Sequence, residues 1–458
     1  MTIEVRGLLL SLAFLALPAD AVTFQRRYFW PGDDAALGVA VCPDGGFLVP
    51  ARCIPESGLG LARVLRLRGD GDTLWTRELA MPGGDFLPEA FEPDGAGGGV
   101  IVGRVKRERV DWDNCVVAFD SAGSVMWRNG WGSSANEFLT GGLRLAGGWL
   151  VCGVTQESGE DDVRLDWLDD SGHVTRTVVL AEPGPQVSSD LAWSWDGSLL
   201  LVVNELPGGG QYSSITLRKL DTTGRAVWSR RFDDSLWDEG RALASRPDGG
   251  TAIAGFSSTL AHGMQGLLVR ADSTGQVSWY RQYGFDGSDR FFAVSAVPWG
   301  GIVLAGESYP RGGGSSDLYF VRVDVHGAMT WERLIGGDAD DFGCAVACLA
   351  DSGFVIAGGS GSSGERDVYV VRTDAAGIVG MADVTGPLRP LSAHSTLFSD
   401  RVRLPAGAGR LTIVSADGRV VASAEPGGLW TGPAAGVYLV RDRDRVIARL
   451  VKLGGHRP

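Results

Sequence analysis

DSAGSVMW (Asp120–Trp127), DTTGRAVW (Asp221–Trp228), DSTGQVSW (Asp272–Trp279) and DVHGAMTW (Asp324–Trp331) are four copies of one pattern. Each opens on Asp, places Gly three residues later and ends on Trp seven residues after the Asp. Degenerate copies end at Trp75, Arg176 and Met381, and successive anchors lie 52, 49, 52, 51, 52 and 50 residues apart. A period near 50 marks a repeated supersecondary unit. Asp and Gly suit a tight reversal, because Gly accepts positive φ and the Asp carboxylate takes nearby backbone N–H groups.

The residues between anchors read as short strands. The last unit runs from a strand at Phe342–Leu349 through the turn Asp351-Ser352-Gly353 to a strand at Phe354–Gly358. A Ser/Gly loop (Ser360–Arg366), a strand (Val368–Val371) and the turn Asp374–Gly377 follow, then a fourth strand that carries the Trp in better copies. Four strands per unit predict a β-propeller blade. The inner hairpin turn recurs near Asp44-Gly45, Asp94-Gly95, Gly147-Gly148, Asp196-Gly197, Asp248-Gly249, Gly300-Gly301 and Asp351-Ser352-Gly353, which makes seven blades. The expected fold is all-β: a seven-bladed propeller over 22–382. Each Trp should pack against a neighbouring blade. Phe24 lies 51 residues before Trp75, so Phe24–Tyr28 occupies a Trp-strand position with no blade before it. It should complete blade seven as its outermost strand and remove the open edge; the segment after Gly377 competes for that place.

The net charge of −13, with Lys only at Lys106, Lys219 and Lys452, argues against a nucleic-acid surface. Arg6, an apolar run from Gly7 to Leu17 and Ala19-Asp20-Ala21 read as a signal peptide over 1–21, cleaved after Ala21. No other segment is long and apolar enough to span a membrane as a helix. Export permits disulfides, but the six Cys do not recur with the repeat and form no C-x-x-C pair. Buried thiols are expected. Cys344 and Cys348, four apart on one strand, should share a face, and a bridge from Cys42 to either is the alternative if first and last blades touch.

The stretch Trp331–Gly377 resembles the secreted bacterial β-propeller repeats often called SBBP repeats. The matching elements are the Trp, a Gly-Gly-x-x-x-Asp-Asp loop, a D-x-G-F-x-x-A-G strand and a D-x-Y-x-V-R-x-D strand. The resemblance covers about 24–382, weakest in blade three, where Arg176 replaces Trp. It implies a fold and an exported location and no activity. The Asp-to-Gly and Asp-to-Trp offsets of three and seven differ from those of quinoprotein propellers and sialidase Asp-boxes. After Asp383 the pattern stops. A linker over 383–396 leads to 397–458, where Gly436–Arg441 and Arg449–Leu453 resemble the C-terminal type A sorting domain of the type IX (Por) secretion system. That resemblance implies a small Ig-like β-sandwich, a bacterial secretion machinery as partner, and an extracellular or outer-membrane-surface location. Its usual opening Tyr-Pro-Asn-Pro is replaced by Pro387-Leu388-Arg389-Pro390.

An acidic residue falls ten positions after the anchor in six of seven interblade loops: Asp34, Asp85, Glu137, Asp238, Asp289 and Asp341, with Gln186 in the seventh slot. A carboxylate ring at a channel mouth would suit Ca²⁺ or a cationic ligand. Regular recurrence favours the other reading, in which each carboxylate accepts N–H bonds and fixes its own loop. Gly359–Gly364 matches G-x-G-x-x-G but leads into a strand, so it lacks the helix N-terminus a phosphate cradle needs. The five His show no metal-binding spacing, and no G-x-S-x-G elbow occurs. No catalytic or cofactor-binding residue emerges. Trp237, Trp299 and Tyr309 are loop aromatics able to stack on sugars or to pack on the next blade. The expected function is a monomeric, exported binding or scaffold protein that recognises a glycan, peptide or cell-surface partner through its loop face. The alternative is a polysaccharide hydrolase or lyase using loop acids, which needs two carboxylates at catalytic separation.

Overall fold

The computed structural model describes residues 22–379, apart from 57, 107–110, 207–212, 234–236, 247, 260–262, 286 and 311–314, together with the strand segments that follow residue 394. The leader with Ala21, the Met381 anchor, most of the linker and the turn at 416–419 lie outside the described residues. Among those described there is no helix, and therefore none long and apolar enough to cross a membrane.

Seven four-stranded antiparallel units follow one another. Blade one holds β2 (Asp33–Ala36), β4 (Phe47–Ile54), β5 (Leu61–Leu67) and β6 (Thr73–Leu79), with β3 (Ala40–Val41) also on β4. Blade two holds β7 (Asp85–Pro93), β8 (Gly99–Lys106), β9 (Asp113–Phe119) and β10 (Val125–Trp131). Blade three holds β11 (Glu137–Leu145), β12 (Gly148–Thr155), β13 (Asp162–Leu168) and β14 (Val174–Leu180). Blade four holds β15 (Gln186–Trp193), β16 (Leu199–Glu205), β17 (Ser214–Leu220) and β18 (Ala226–Phe232). Blade five holds β19 (Trp237–Ser245), β20 (Thr251–Thr259), β21 (Gly263–Ala271) and β22 (Val277–Tyr283). Blade six holds β23 (Gly287–Ala296), β24 (Ile302–Pro310), β25 (Asp317–Val323) and β26 (Met329–Ile335). Blade seven holds β27 (Asp341–Cys348), β28 (Phe354–Ser360) and β29 (Asp367–Thr373). Its fourth strand is β1 (Phe24–Tyr28), antiparallel to β29 with Phe24 opposite Arg372. The closing strand therefore comes from the N-terminal side, as the Phe24 register predicts, and the array is a closed ring. From blade two to blade seven the first strands of successive blades touch, which places them innermost.

Seven apolar clusters fill the seven seams. One joins Leu48 and Val64 of blade one to Ile101 and Val117 of blade two, and another joins Phe47 and Leu65 to Val355 and Val370 across the closure. The anchor residues explain the period. Each stands over the turn glycine of the next blade: an added Cβ would lie 2.7 Å from the Trp75 ring at Gly123, 2.3 Å from Trp127 at Gly172, 2.6 Å from Trp228 at Gly275, 2.9 Å from Trp279 at Gly327 and 2.7 Å from Trp331 at Gly377. Phe24 covers Gly71 at 2.9 Å and completes the ring. These glycines also hold positive φ, between 71° and 86°, so two independent constraints exclude a side chain. The turn Asp sets the reversal: Asp272 Oδ1 accepts the N–H groups of Thr274 and Gln276 at 2.8 and 3.0 Å.

Blade three has no Trp at position 176, and a neighbouring strand supplies one. Trp167 on β13 lies directly across the ladder from Arg176 on β14. Its ring lies 2.6 Å from where a Gly224 Cβ would sit, and Arg176 stacks on it at 4.9 Å. Elsewhere the order is reversed: Arg66, Lys219, Arg270 and Arg322 lie opposite Trp75, Trp228, Trp279 and Trp331. In three of these blades the cation also binds the inner-hairpin Asp, as Arg66 binds Asp44, Lys219 binds Asp196 and Arg270 binds Asp248, each at 2.6 Å. The inner hairpin of blade three, Ala146-Gly147-Gly148, holds no Asp, so the cation and its partner are absent together.

The six thiols are free, as expected, with Cys42, Cys53, Cys115 and Cys152 buried and Cys344 and Cys348 half-buried. The alternative bridge and the shared face of Cys344 and Cys348 need correction. Cys42 lies in the seam between blades one and two, away from Cys344 and Cys348. A β-bulge between Gly343 and Ala345 displaces Cys344 from the ladder, so the two do not share a face. Cys344 donates to Ala36 O of blade one at 3.0 Å, while Cys348 contacts Ser295 and Ala296 of blade six.

The chain divides into Met1–Val384 and Thr385–Pro458. In the second unit β30 (Ser395–Phe398), β32 (Leu411–Ser415), β33 (Val420–Ala424), β35 (Gly436–Asp442) and β36 (Arg445–Lys452) form one sheet. The short strands β31 (Val402–Arg403) and β34 (Leu429–Trp430) pair separately.

Candidate functional site

The acidic slots lie at the start of each innermost strand, on the face that also carries the loops between second and third strands. Asp34, Glu137, Asp238, Asp289 and Asp341 are each at most 1% exposed. Three of them turn back into their own loops. Glu137 accepts Ser133 N–H at 3.1 Å and Ser133 Oγ–H at 2.7 Å, Asp289 accepts Phe285 N–H at 2.9 Å, and Asp341 accepts Gly337 N–H at 2.9 Å. The backbone at the slot also stitches blades together, since Glu137, Gln186, Asp238 and Asp341 donate their N–H groups to Trp112, Asp161, Ser213 and Ser316 of the preceding blade. Asp34 closes the ring by donating to Arg366 O at 2.8 Å.

Asp85 is not a member of this set. The equivalent stitch is Phe86 N–H to Gly60 O, and Phe86 is fully buried. In blades three to seven the slot precedes the residue skipped by the first-strand β-bulge by three positions; in blade two the skipped residue is Glu89, which again selects Phe86. The connection into blade two is one residue longer, so counting from Trp75 lands on Asp85. That side chain instead takes Gly60 N–H at 2.7 Å. The structure thus gathers five carboxylates, one amide and one phenyl ring at loop bases rather than six carboxylates around a channel. Among the described residues no group of three or more His, Cys, Asp or Glu is placed to hold a metal ion.

The sevenfold pattern breaks one step further in, where first and second strands pair near the same face. In blades one and two, Arg52 and Arg104 approach Glu89 at 3.8 and 3.2 Å, and Arg104 stacks on Trp112 and Phe138. In blades five and six, Arg241 binds Glu239 at 2.5 Å and Arg290 binds Glu307 at 3.3 Å. Both guanidinium groups lie against Phe256, at 5.7 and 5.6 Å from its centre. Burial raises the carboxyls of Glu89 and Glu307, and the adjacent arginines oppose that rise. The side chains of Arg241 and Arg290 remain 46% and 37% exposed, so their donors reach solvent.

Two further carboxyls escaped the sequence reading, because each occurs once and no motif flags it. Glu92 accepts Gly142 N–H at 3.1 Å across the seam of blades two and three. Asp190 accepts Leu243 N–H at 2.7 Å across the seam of blades four and five, and Leu191 N–H at 2.8 Å. Burial pushes Asp190 up to about 6 and Glu92 well above the usual range, where the Asp190 charge adds to the rise. Of the aromatics noted in the sequence, Trp237 lies on the loop face, 37% exposed, with Nε1 3.2 Å from Glu239 Oε2. Trp299 lies in an inner hairpin on the opposite face, 6.1 Å from the Phe354 ring. Tyr309 is half-buried on β24. They form no common platform.

No family model matches this chain, and no curated protein matches it. Solved structures do. The BP39L lectin from Burkholderia pseudomallei is 12% identical, with a TM-score of 0.48, 78% of this chain covered and 100% of that one. The β-propeller domain of the Trilobed protease from Pyrococcus furiosus is 10% identical, with a TM-score of 0.43, covering 79% of this chain and 100% of that one. Drosophila Semaphorin 2a is 7% identical, with a TM-score of 0.47, covering 94% and 98%. The likeness is one of fold.

Proposed function

We propose that this protein is an exported binding propeller that recognises a glycan, peptide or cell-surface partner on its loop face. The observation that carries this reading is the contrast between two tiers of that face. Slot residues repeat with the blades, and Glu137, Asp289 and Asp341 bond their own loops, whereas Arg52, Glu89, Arg104, Glu239, Arg241, Arg290 and Glu307 follow no repeat; among them Arg104, Arg241 and Arg290 are partly exposed guanidinium groups beside aromatic rings. Ligand selectivity in a repeat protein resides where the repeats differ. Export rests on the charged and apolar leader ending at Ala21. Delivery through a type IX secretion machinery, with residues 397–458 as an Ig-like β-sandwich sorting module and the propeller as an SBBP-type array, rests on the sequence resemblances.

A glycan and peptide array read with the purified chain tests the proposal, followed by titration of any hit against Arg241→Ala/Arg290→Ala and Arg52→Ala/Arg104→Ala. Binding that falls at least about tenfold in one double variant, with unchanged melting, supports it. Binding unaffected by both places the ligand elsewhere. Polysaccharide breakdown abolished by Glu307→Gln would replace the binding reading with the hydrolase or lyase alternative.

A further inference from the structure

Blade seven is assembled from both ends of the propeller sequence, and its two seams carry facing carboxyl groups. Toward blade six, Asp317 and Asp341 converge on Gly336: a Cβ there would lie 2.3 Å from Asp317 Oδ1 and 2.6 Å from Asp341 Oδ2. Asp341 is fully buried and its Oδ1 makes no hydrogen bond. Toward blade one, Asp34 stands beside Asp367, the first residue of β29, and Asp34 Oδ2 makes no hydrogen bond. Arg27 of the closing strand lies between the seams. Its Nη2 is 3.5 Å from Asp341 Oδ1, its guanidinium lies 6.0 Å from the Tyr369 ring, and its charge acts on Asp367.

We propose that Arg27 is an electrostatic latch that holds the closing strand β1 in the ring, and that the latch is needed only when the carboxyl groups flanking blade seven have lost their protons. The other groups facing these carboxyls are accounted for. Arg63 lies 3.5 Å from Asp34 but is shared with Glu78 at 2.7 Å, and it stacks on Trp30. Asp33 is taken by Arg366, Asp340 by Ser316 N–H, and Cys53 and Ser360 are uncharged neighbours whose side chains oppose the rise at Asp34 and Asp341. Arg27 thus serves Asp341 and Asp367, and part of Arg63 serves Asp34.

Burial raises Asp34, Asp317, Asp341 and Asp367, the last to about 6, with Asp341 adding to the rise at Asp317 and Asp34 to that at Asp367. At these four carboxyls the folded ring therefore holds more protons than the unfolded chain. Stability present below the ordinary carboxyl range is lost as pH rises through about 6. Over that same window the attraction of Arg27 for Asp341 and Asp367 grows and offsets part of the loss.

Hydrogen exchange of the Phe24–Tyr28 amides in the full chain tests the latch, comparing variants at equal pH so that intrinsic rates cancel. Arg27→Gln should speed exchange of β1 at least about tenfold at pH 8 and leave it nearly unchanged at pH 4.5, with Arg27→Lys intermediate. Asp341→Asn removes the nearest partner of Arg27, so it should speed exchange of β1 at pH 8 and shrink the Arg27→Gln effect. An Arg27→Gln effect of equal size at both pH values, or one spread evenly over all blades, overturns the proposal. If Arg27→Gln does not fold, the Asp341→Asn and Arg27→Lys profiles decide alone: flat pH dependence in both refutes it.

Discussion

The Trp167–Arg176 exchange gives the sharpest test of the anchor mechanism. Counting along the repeat places the blade-three anchor at residue 176, whereas contact geometry places it at Trp167, over Gly224. A tryptophan offers roughly 150–250 Å² for burial, and Trp167 is half-buried. At about 25 cal/mol per Å², truncating it forfeits roughly 2–3 kcal/mol. Its Nε1 donates to Thr222 O at 3.2 Å, which adds about 1 kcal/mol. Loss of the Arg176 stack adds about 0.5 kcal/mol at such a site. Trp167→Ala should therefore cost about 3.5–4.5 kcal/mol, close to the value for Trp279→Ala, while Arg176→Ala should cost under about 1 kcal/mol. Urea denaturation followed by far-UV circular dichroism gives both numbers, provided the slope m is unchanged. If Arg176→Ala costs as much as Trp167→Ala, or if Trp167→Ala costs less than about 1 kcal/mol, the seam between blades three and four is held by something other than this ring.

Three shorter expectations follow from the same geometry. Gly275→Ala meets both a φ of 80° and the Trp228 ring 2.6 Å from the new Cβ, whereas Gly45→Ala meets a φ of 78° and open space; chemical denaturation should show about 2–3 kcal/mol for the first and about 1 kcal/mol for the second. Asp190, raised to about 6 by burial, contributes stability that is present below the ordinary carboxyl range and lost as pH rises through about 6, so Asp190→Asn should flatten the fall in melting temperature between pH 4 and pH 8. Millimolar Ca²⁺ should leave the melting temperature unchanged, because Glu137, Asp289 and Asp341 turn into their own loops; a rise that is lost in Asp341→Asn would show a cation among them.

Much of the fold is legible because one constraint leaves two marks in the chain. A ring can cover the next blade's turn only where that turn has no Cβ, so Trp and Gly recur together and their spacing counts blades. Phe24 obeys the same rule over Gly71, and that is why a strand near the start of the chain could be assigned to the last blade. Legibility ends where spacing and register part company. Asp85 keeps the distance from Trp75 but not the ladder position, since a one-residue longer connection is invisible to counting. Cys344 shows the same limit, because a bulge changes which way a side chain faces without changing its number. Arg176 looked like a lost anchor because the pattern was followed along one strand, whereas the ring had moved across the ladder to Trp167.

This distinction bears on where selectivity can reside. A residue that recurs in every blade answers to the blade: the anchor ring answers to the next turn, the slot carboxylate to its loop, the hairpin Asp to the cation across from the anchor. These contacts lie within one loop or one seam, and altering one seam leaves six others intact. Arg241 and Arg290 have no counterpart of this kind. They lie on consecutive innermost strands, share the Phe256 ring and keep more than a third of each side chain in solvent. A guanidinium held flat against a ring loses little further freedom when a carboxylate or a row of hydroxyls docks on its remaining donors. Stability of the propeller is therefore distributed sevenfold, while recognition can be concentrated in a few side chains whose loss leaves the ring standing.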